Sequence, residues 1–166
     1  MRIYKIGDEF NIQYVLLGGG DEYERIEEIK ATNASYILPI NFPDAYDIED
    51  VYSANILQLS DMREWNQRPS NLSQFEENGI QFAITTEGLK SPNNLKTNIK
   101  KAIDHGLSKS KALEALTSIP AKLIGRDDVL GYLKKGYLAN FLITSGELFD
   151  DNTIIHENWV KGNRNI

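Results

Sequence analysis

Few residues in this 166-residue chain are equipped for chemistry, and their spacing limits what they can do. There are two histidines, His105 and His156, and no cysteine. A thiolate nucleophile, a zinc–thiolate site and a disulfide frame are therefore excluded. So few histidines do not support a Ser–His–Asp or Cys–His arrangement. His105 stands directly before Gly106 at the end of a helical pattern. An imidazole there suits the negative end of a helix, so a capping role is the expectation.

Two further clusters invite a ligand. Gly18-Gly19-Gly20 precedes a helical pattern, and such a loop can turn backbone amides toward an anion. Tyr23, however, stands where G-x-G-x-x-G requires glycine, and no G-K-[ST] follows. Asp21 and Glu22 would also repel an incoming anion. Phosphate is thus not the expected ligand, although contact between a ligand and this loop's backbone stays open. The acidic stretch holding Asp44, Asp47, Glu49 and Asp50 lacks the D-x-[DN]-x-[DN]-G spacing of a calcium loop. A solvated loop is the better reading. Tyr46, Tyr52 and Trp65 could line a pocket, but aromatics at helical spacing more often pack.

The elements that must position these residues alternate. Gln13 to Leu17 is an apolar run closed by the glycines, as expected of a buried parallel strand. Asp21 and Glu22 suit the positive end of a following helix, on which Tyr23, Ile26 and Ile29 share a face. Tyr36 to Ile40 reads as a second strand, with Pro39 better placed at its end than its centre. Helical spacing returns at Ile56, Leu59, Met62 and Trp65, and again at Leu72 and Phe75 before Asn78-Gly79 stops it. Ile80 to Thr85 is a third strand. One helix then carries Leu95, Ile99, Ala102 and Ile103 up to Gly106. The next is capped by Ser108 and carries Ala112, Leu113, Leu116 and Ile119. Near residue 126 the composition shifts. Tyr137–Thr144 and Thr153–Lys161 then read as antiparallel strands. Strands joined by helices make the first part an α/β arrangement.

Net charge of −6 argues against nucleic acid or an anionic membrane surface as partner. The start, MRIYKIGDEF, has no signal-peptide core, and no stretch approaches the roughly 18 apolar residues of a membrane helix. A soluble protein of cytoplasm or periplasm is expected.

Several linked motifs carry a family resemblance. Gly106-Leu107-Ser108, Ala112 to Thr117, Pro120-Ala121-Lys122 and Gly125 resemble the G-L-S…A-L…A-T…N-P-A-K…L-G of the amidohydrolase superfamily. Leu130-Gly131-Tyr132-Leu133-Lys134-Lys135-Gly136-Tyr137-Leu138-Ala139-Asn140 is similar to that family's L-G-S-L-E-x-G-K-x-A-D. Trp159-Val160-Lys161-Gly162 resembles its closing V-W-V-x-G-K. The nearest branch is imidazolonepropionase-like. The resemblance is strong from about residue 79 onward and weaker before it.

The resemblance implies a (β/α)8 barrel with a small β-sandwich built from both chain ends. A whole barrel takes roughly 250 residues. This chain would supply a C-terminal portion, with about three late βα units over residues 1–126 and sandwich strands over residues 127–166. The family hydrolyses amide-like or lactone-like carbons with one or two divalent metals, zinc foremost, that activate water. Its ligands include an H-x-H, which this chain lacks.

Glu87, in Phe82-Ala83-Ile84-Thr85-Thr86-Glu87-Gly88, matches the family's last-strand Asp, which both ligates metal and shuttles a proton. Glu87 is therefore the candidate catalytic and metal-ligating residue, one methylene longer than the pattern. The bland alternative is a solvated carboxylate at a strand end. Gly18 falls where the family has a metal-binding His, and His156 falls in a terminal strand.

The expectation is a fragment of a metal-dependent hydrolase. Whole, it would act on non-peptide C–N bonds of a small cyclic or linear amide. Alone, the fragment would be inactive and hold no metal. The alternative is a barrel-derived module that has lost its metal site and binds a ligand or partner. Cut barrel edges would favour a homo-oligomer.

Overall fold

The computed structural model describes residues 2–165. The chain divides into two compact units, Met1–Leu107 and Ser108–Ile166. The composition shift near residue 126 lies inside the second.

In the first unit, β1 (Val15–Leu17), β2 (Ser35–Pro39) and β3 (Phe82–Thr85) form a parallel sheet in that order. Parallel neighbours cannot be joined by a tight turn, so each connection must cross over through helix. After α1 (Arg2–Glu9) and β1, a 3-10 turn (Glu22–Arg25) and α2 (Ile26–Lys30) link β1 to β2. Between β2 and β3 run α3 (Val51–Ile56), α4 (Leu59–Gln67) and α5 (Asn71–Glu77). Pro39 closes β2, as expected of a residue that cannot donate to the ladder.

Register decides which side chains reach the core. Leu16, Tyr36 and Phe82 lie side by side on one face of the sheet. On α5, Leu72 and Phe75 are three residues apart and point at that face. Leu38, Leu72, Phe75 and Phe82 are fully buried. Phe75 meets Tyr36 and Phe82 edge-on, with ring centroids 5.2 and 5.8 Å apart. Each such buried side chain stabilises the unit by about 1.5–3 kcal/mol relative to exposure.

The opposite face is built from the alternate positions, including Val15, Leu17, Ile37 and Ala83. Val15 is 44% exposed and Leu17 58%. Parallel sheets are ordinarily covered on both faces. This one is covered on the helix side and left partly open on the other.

Helix ends follow the sequence. α6 (Asn94–Asp104) buries Ile99 and Ala102, and the Asn98 side-chain amide donates to the Ile40 carbonyl at 2.6 Å. His105 is its C-cap. Gly106, at φ +103°, turns the chain so that the Leu107 N–H returns to the Ala102 carbonyl at 3.1 Å. The Ile56, Leu59, Met62 and Trp65 row departs from a single helix face. The chain breaks after α3, and Gln58 caps α4 in a box with Asp61. Ile56 and Leu59 are then 65% and 63% exposed, and only Trp65 is half-buried.

In the second unit, α7 (Lys109–Leu116) begins where the Ser108 hydroxyl accepts the Lys111 N–H at 3.1 Å. Thr117 breaks the helix before α8 (Ser118–Leu123), which places Ala112 and Ile119 inside and leaves Leu113 exposed. Antiparallel β4 (Phe141–Thr144), β5 (Ile155–Val160) and β6 (Asn163–Arg164) follow. Phe141 and Trp159 face each other across β4 and β5 and stack at 5.6 Å. Among the described residues no helix is long and apolar enough to cross a membrane.

Candidate functional site

Ligands of parallel α/β sheets bind beyond the carboxyl ends of the strands. In the first unit those ends are Gly18–Asp21 after β1, Ile40–Phe42 after β2 and Thr86–Gly88 after β3.

The loop after β1 is folded around a carboxylate. Glu22 accepts hydrogen bonds from the Gly19 N–H, from the Gly20 N–H at 3.1 Å and from the Asn71 side-chain amide at 2.7 Å. Asn71 is 1% exposed. Its oxygen accepts the Tyr23 N–H at 2.8 Å, which fixes the amide so that its NH2 faces Glu22. Gly18 lies close against these groups: a Cβ there would stand 2.6 Å from a Glu22 carboxylate oxygen and 2.8 Å from Leu38 Cδ2, so the ends of those two side chains would have to shift. The sequence reading treated Glu22 as a charge that would repel an anion from this loop. The structure shows that Glu22 is itself the anion the loop holds.

Beside it, the loops after β2 and β3 touch. A Cβ on Gly88 would collide with the Asn41 side-chain amide at 2.3 Å. Glu87, immediately before Gly88, is exposed, and its backbone N–H donates to the Thr85 hydroxyl at 3.1 Å. Among the described residues no three of His, Cys, Asp and Glu stand close enough together to hold a metal ion. His105 is committed elsewhere, its Nδ1 lying 2.8 Å from the Lys101 carbonyl and its own carbonyl accepting the Ser73 hydroxyl at 3.0 Å. This is the helix-capping role read from the sequence. His156 is an exposed residue of β5.

The acidic stretch is held by a cation from its own chain. Asp44 pairs with Lys90, whose hydrogen bond and charge hold the Asp44 carboxyl below the usual carboxylate range. Within the stretch, Asp47 accepts the Glu49 N–H at 3.0 Å. The aromatic residues separate: Tyr46 and Tyr52 are exposed, whereas Trp65 and Phe42 flank the Lys101 ammonium at 5.5 and 5.7 Å. The Trp65 indole N–H and the Tyr23 hydroxyl are buried without a hydrogen-bond partner. Burial first, then the Glu24 and Glu64 carboxylates, pushes the Tyr23 phenol above its ordinary value.

Asn71 is the site residue that sequence reasoning missed. The available signal was a polar residue four positions before Phe75, and so on the inward side of α5.

Comparison with known proteins agrees with this fold. The model of the amidohydrolase family matches residues 22–165. No curated protein sequence matches significantly. Among solved structures, an amidohydrolase from Thermotoga maritima MSB8 superposes with a TM-score of 0.77 at 17% identity, over 99% of this chain and 39% of that one. A prolidase complexed with N-methylphosphonate-L-proline gives 0.64 at 12% identity, over 98% and 42%. A Xaa-Pro dipeptidase with bound methionine gives 0.58 at 15% identity, over 98% and 47%. The chain thus spans roughly two fifths of the length of the solved structures it matches. With a family match running through both compact units, the chain belongs to the amidohydrolase family.

Proposed function

We propose that this chain is the C-terminal portion of an imidazolonepropionase-like amidohydrolase. Residues 1–126 would be late βα units of a TIM-like (β/α)8 barrel, and residues 127–166 strands of the small β-sandwich. Support comes from the family match, from the share of each solved structure that the chain covers, and from the open face of its parallel sheet. A barrel interior would bury Val15 and Leu17 against further strands. In the chain by itself, that face suits self-association into a dimer or higher oligomer.

The whole protein, on this reading, hydrolyses a non-peptide C–N bond of a small cyclic or linear amide. The family's divalent metal would supply activated water. The donors of this chain do not fit such a centre. Among the described residues Glu87 belongs to no group of three or more His, Cys, Asp and Glu that could hold a metal ion, His105 caps a helix, and Gly18 brings no side chain to its strand end. A catalytic metal needs about three protein ligands. We therefore propose that the chain alone is not the catalyst, and that donor set is the observation that supports this reading.

The test is metal analysis after dialysis against zinc, with turnover assays on small amides and on proline dipeptides. The dipeptides are included because two fold neighbours are a prolidase and a Xaa-Pro dipeptidase. Expected are no stoichiometric zinc and no turnover, with Glu87→Gln changing neither. Tightly bound zinc with turnover lost in Glu87→Gln would overturn the reading.

A second reading is a non-catalytic module that binds a ligand or partner, favoured by the filled loop at Gly18. Reading the coding sequence upstream of Met1 separates the two. An H-x-H after a strand supports the hydrolase, and a longer protein without one supports the module.

A further inference from the structure

We propose that the stretch from Asp44 to Met62 is a docking surface for a basic amphipathic helix of a partner protein. The inference stands whether the whole protein is a catalyst or a binding module.

Charge and apolar exposure coincide in this stretch. Residues 44–62 hold five acids, Asp44, Asp47, Glu49, Asp50 and Asp61, and no Lys, Arg or His. They carry −5 of the chain's net charge of −6, so the rest of the chain is almost balanced. Over the same residues Ile48, Tyr52, Ile56, Leu59 and Met62 are between 51% and 76% exposed. Acidic and apolar side chains alternate from Tyr46 to Glu49, and every residue from 44 to 50 is exposed. Tyr52 and Ile56 then stand one turn apart on α3, and Leu59 and Met62 one turn apart on α4. Each helix thus turns an apolar pair outward. Apolar side chains gathered at the surface within a polar rim mark interaction sites.

The charge says what covers them. Asp44 is engaged by Lys90, and Asp61 is spent on capping α4. Asp47 and Glu49, on either side of Ile48, are left as charges for a partner to meet. Their complement is a helix with apolar anchors on one face and Lys or Arg along its borders. A second copy of the chain does not fit, because a two-fold contact through this surface would set its acids against themselves. An anionic membrane or a nucleic acid meets the same repulsion.

The experiment uses the full chain and a short helical peptide of leucine and lysine with one apolar face. A peptide with glutamine in place of leucine keeps the charge alone, and one with glutamate in place of lysine keeps the apolar face alone. Binding is followed by calorimetry and by 15N–1H spectra at low and high salt. We expect saturable binding of the leucine–lysine peptide only, weakening as salt rises, with amide shifts centred on residues 44–62. Tyr52→Ser combined with Ile56→Ser should weaken it about tenfold or more. Asp47→Asn combined with Glu49→Gln should weaken it less and flatten its salt dependence. Both pairs are exposed, so the melting temperature should stay near that of the native chain.

Equal binding of either control peptide, shifts centred on Val15 and Leu17 or spread over the whole surface, or no binding would overturn the proposal. So would a native chain whose mass in light scattering falls in the Tyr52→Ser, Ile56→Ser variant, because the occupant would then be a second copy.

Discussion

Asn71 and Glu22, 49 positions apart in the chain, are joined by a 2.7 Å hydrogen bond that ties the start of α5 to the loop after β1. The same Asn71 side chain accepts the Tyr23 N–H, so both ends of its amide are used. Replacing Asn71 with Ala removes two hydrogen bonds at a site with 1% exposure and leaves a buried donor unmet. Lost buried partners of this kind cost about 1–3 kcal/mol each. Asn71→Ala should lower unfolding stability by about 2–4 kcal/mol. Asn71→Asp should lower it further at neutral pH, by setting a second carboxylate against Glu22. Urea titration followed by circular dichroism checks both.

Tyr23 places a hydroxyl in the interior with no partner. Tyr23→Phe removes that unpaired group and should leave stability unchanged or raise it by up to about 1 kcal/mol. The pH dependence has a definite sign. Burial raises the phenols of both Tyr23 and Tyr36 above the tyrosine value of 10.0. Above pH 10 the unfolded chain loses these protons before the folded one does. Stability is therefore full below that pH and falls as pH rises past it. Ultraviolet titration should show two late phenols, and Tyr36→Phe should shallow the alkaline loss of stability.

Phe75 stands between Tyr36 and Phe82 and touches both ring to ring. Phe75→Ala should cost about 3–5 kcal/mol, because a fully buried ring leaves a cavity between two rings that cannot both move in. Phe75→Leu should cost markedly less. Differential scanning calorimetry of both variants separates lost volume from lost aromatic contact.

Leu17 lies on the open face of the sheet, so Leu17→Glu should disrupt association more than folding. In light scattering at micromolar concentration, the native chain should run as a dimer or larger and Leu17→Glu should shift toward monomer. A native chain that is monomeric throughout would remove the case for self-association.

Much of the fold was legible because its signals are local. Apolar runs closed by glycine or proline marked the three parallel strands, and Ser108 and Gly106 marked helix boundaries through their own capping chemistry. The row from Ile56 to Met62 was misleading for a related reason. Periodicity reports that one side of a helix is apolar, but not that anything lies against it. Glu22 was legible as a charge and not as a ligand, because its partner Asn71 is brought to it only by the packing of α5 on the sheet. The family resemblance drew attention to Glu87. The hydrogen bonds that gather on Glu22 carried no such signal, because they depend on the room that the glycines leave for a side chain to fold back.

In the parallel sheet, strand order in space equals strand order in the chain. A growing polypeptide can therefore add β2 to β1 and β3 to β2 as each emerges, without threading between strands already paired. Such assembly needs only the most recently placed strand as its template, and after each addition it presents a fresh edge of the same kind. A sheet of this order can be extended one βα unit at a time, until strand tilt and stagger close it into a barrel.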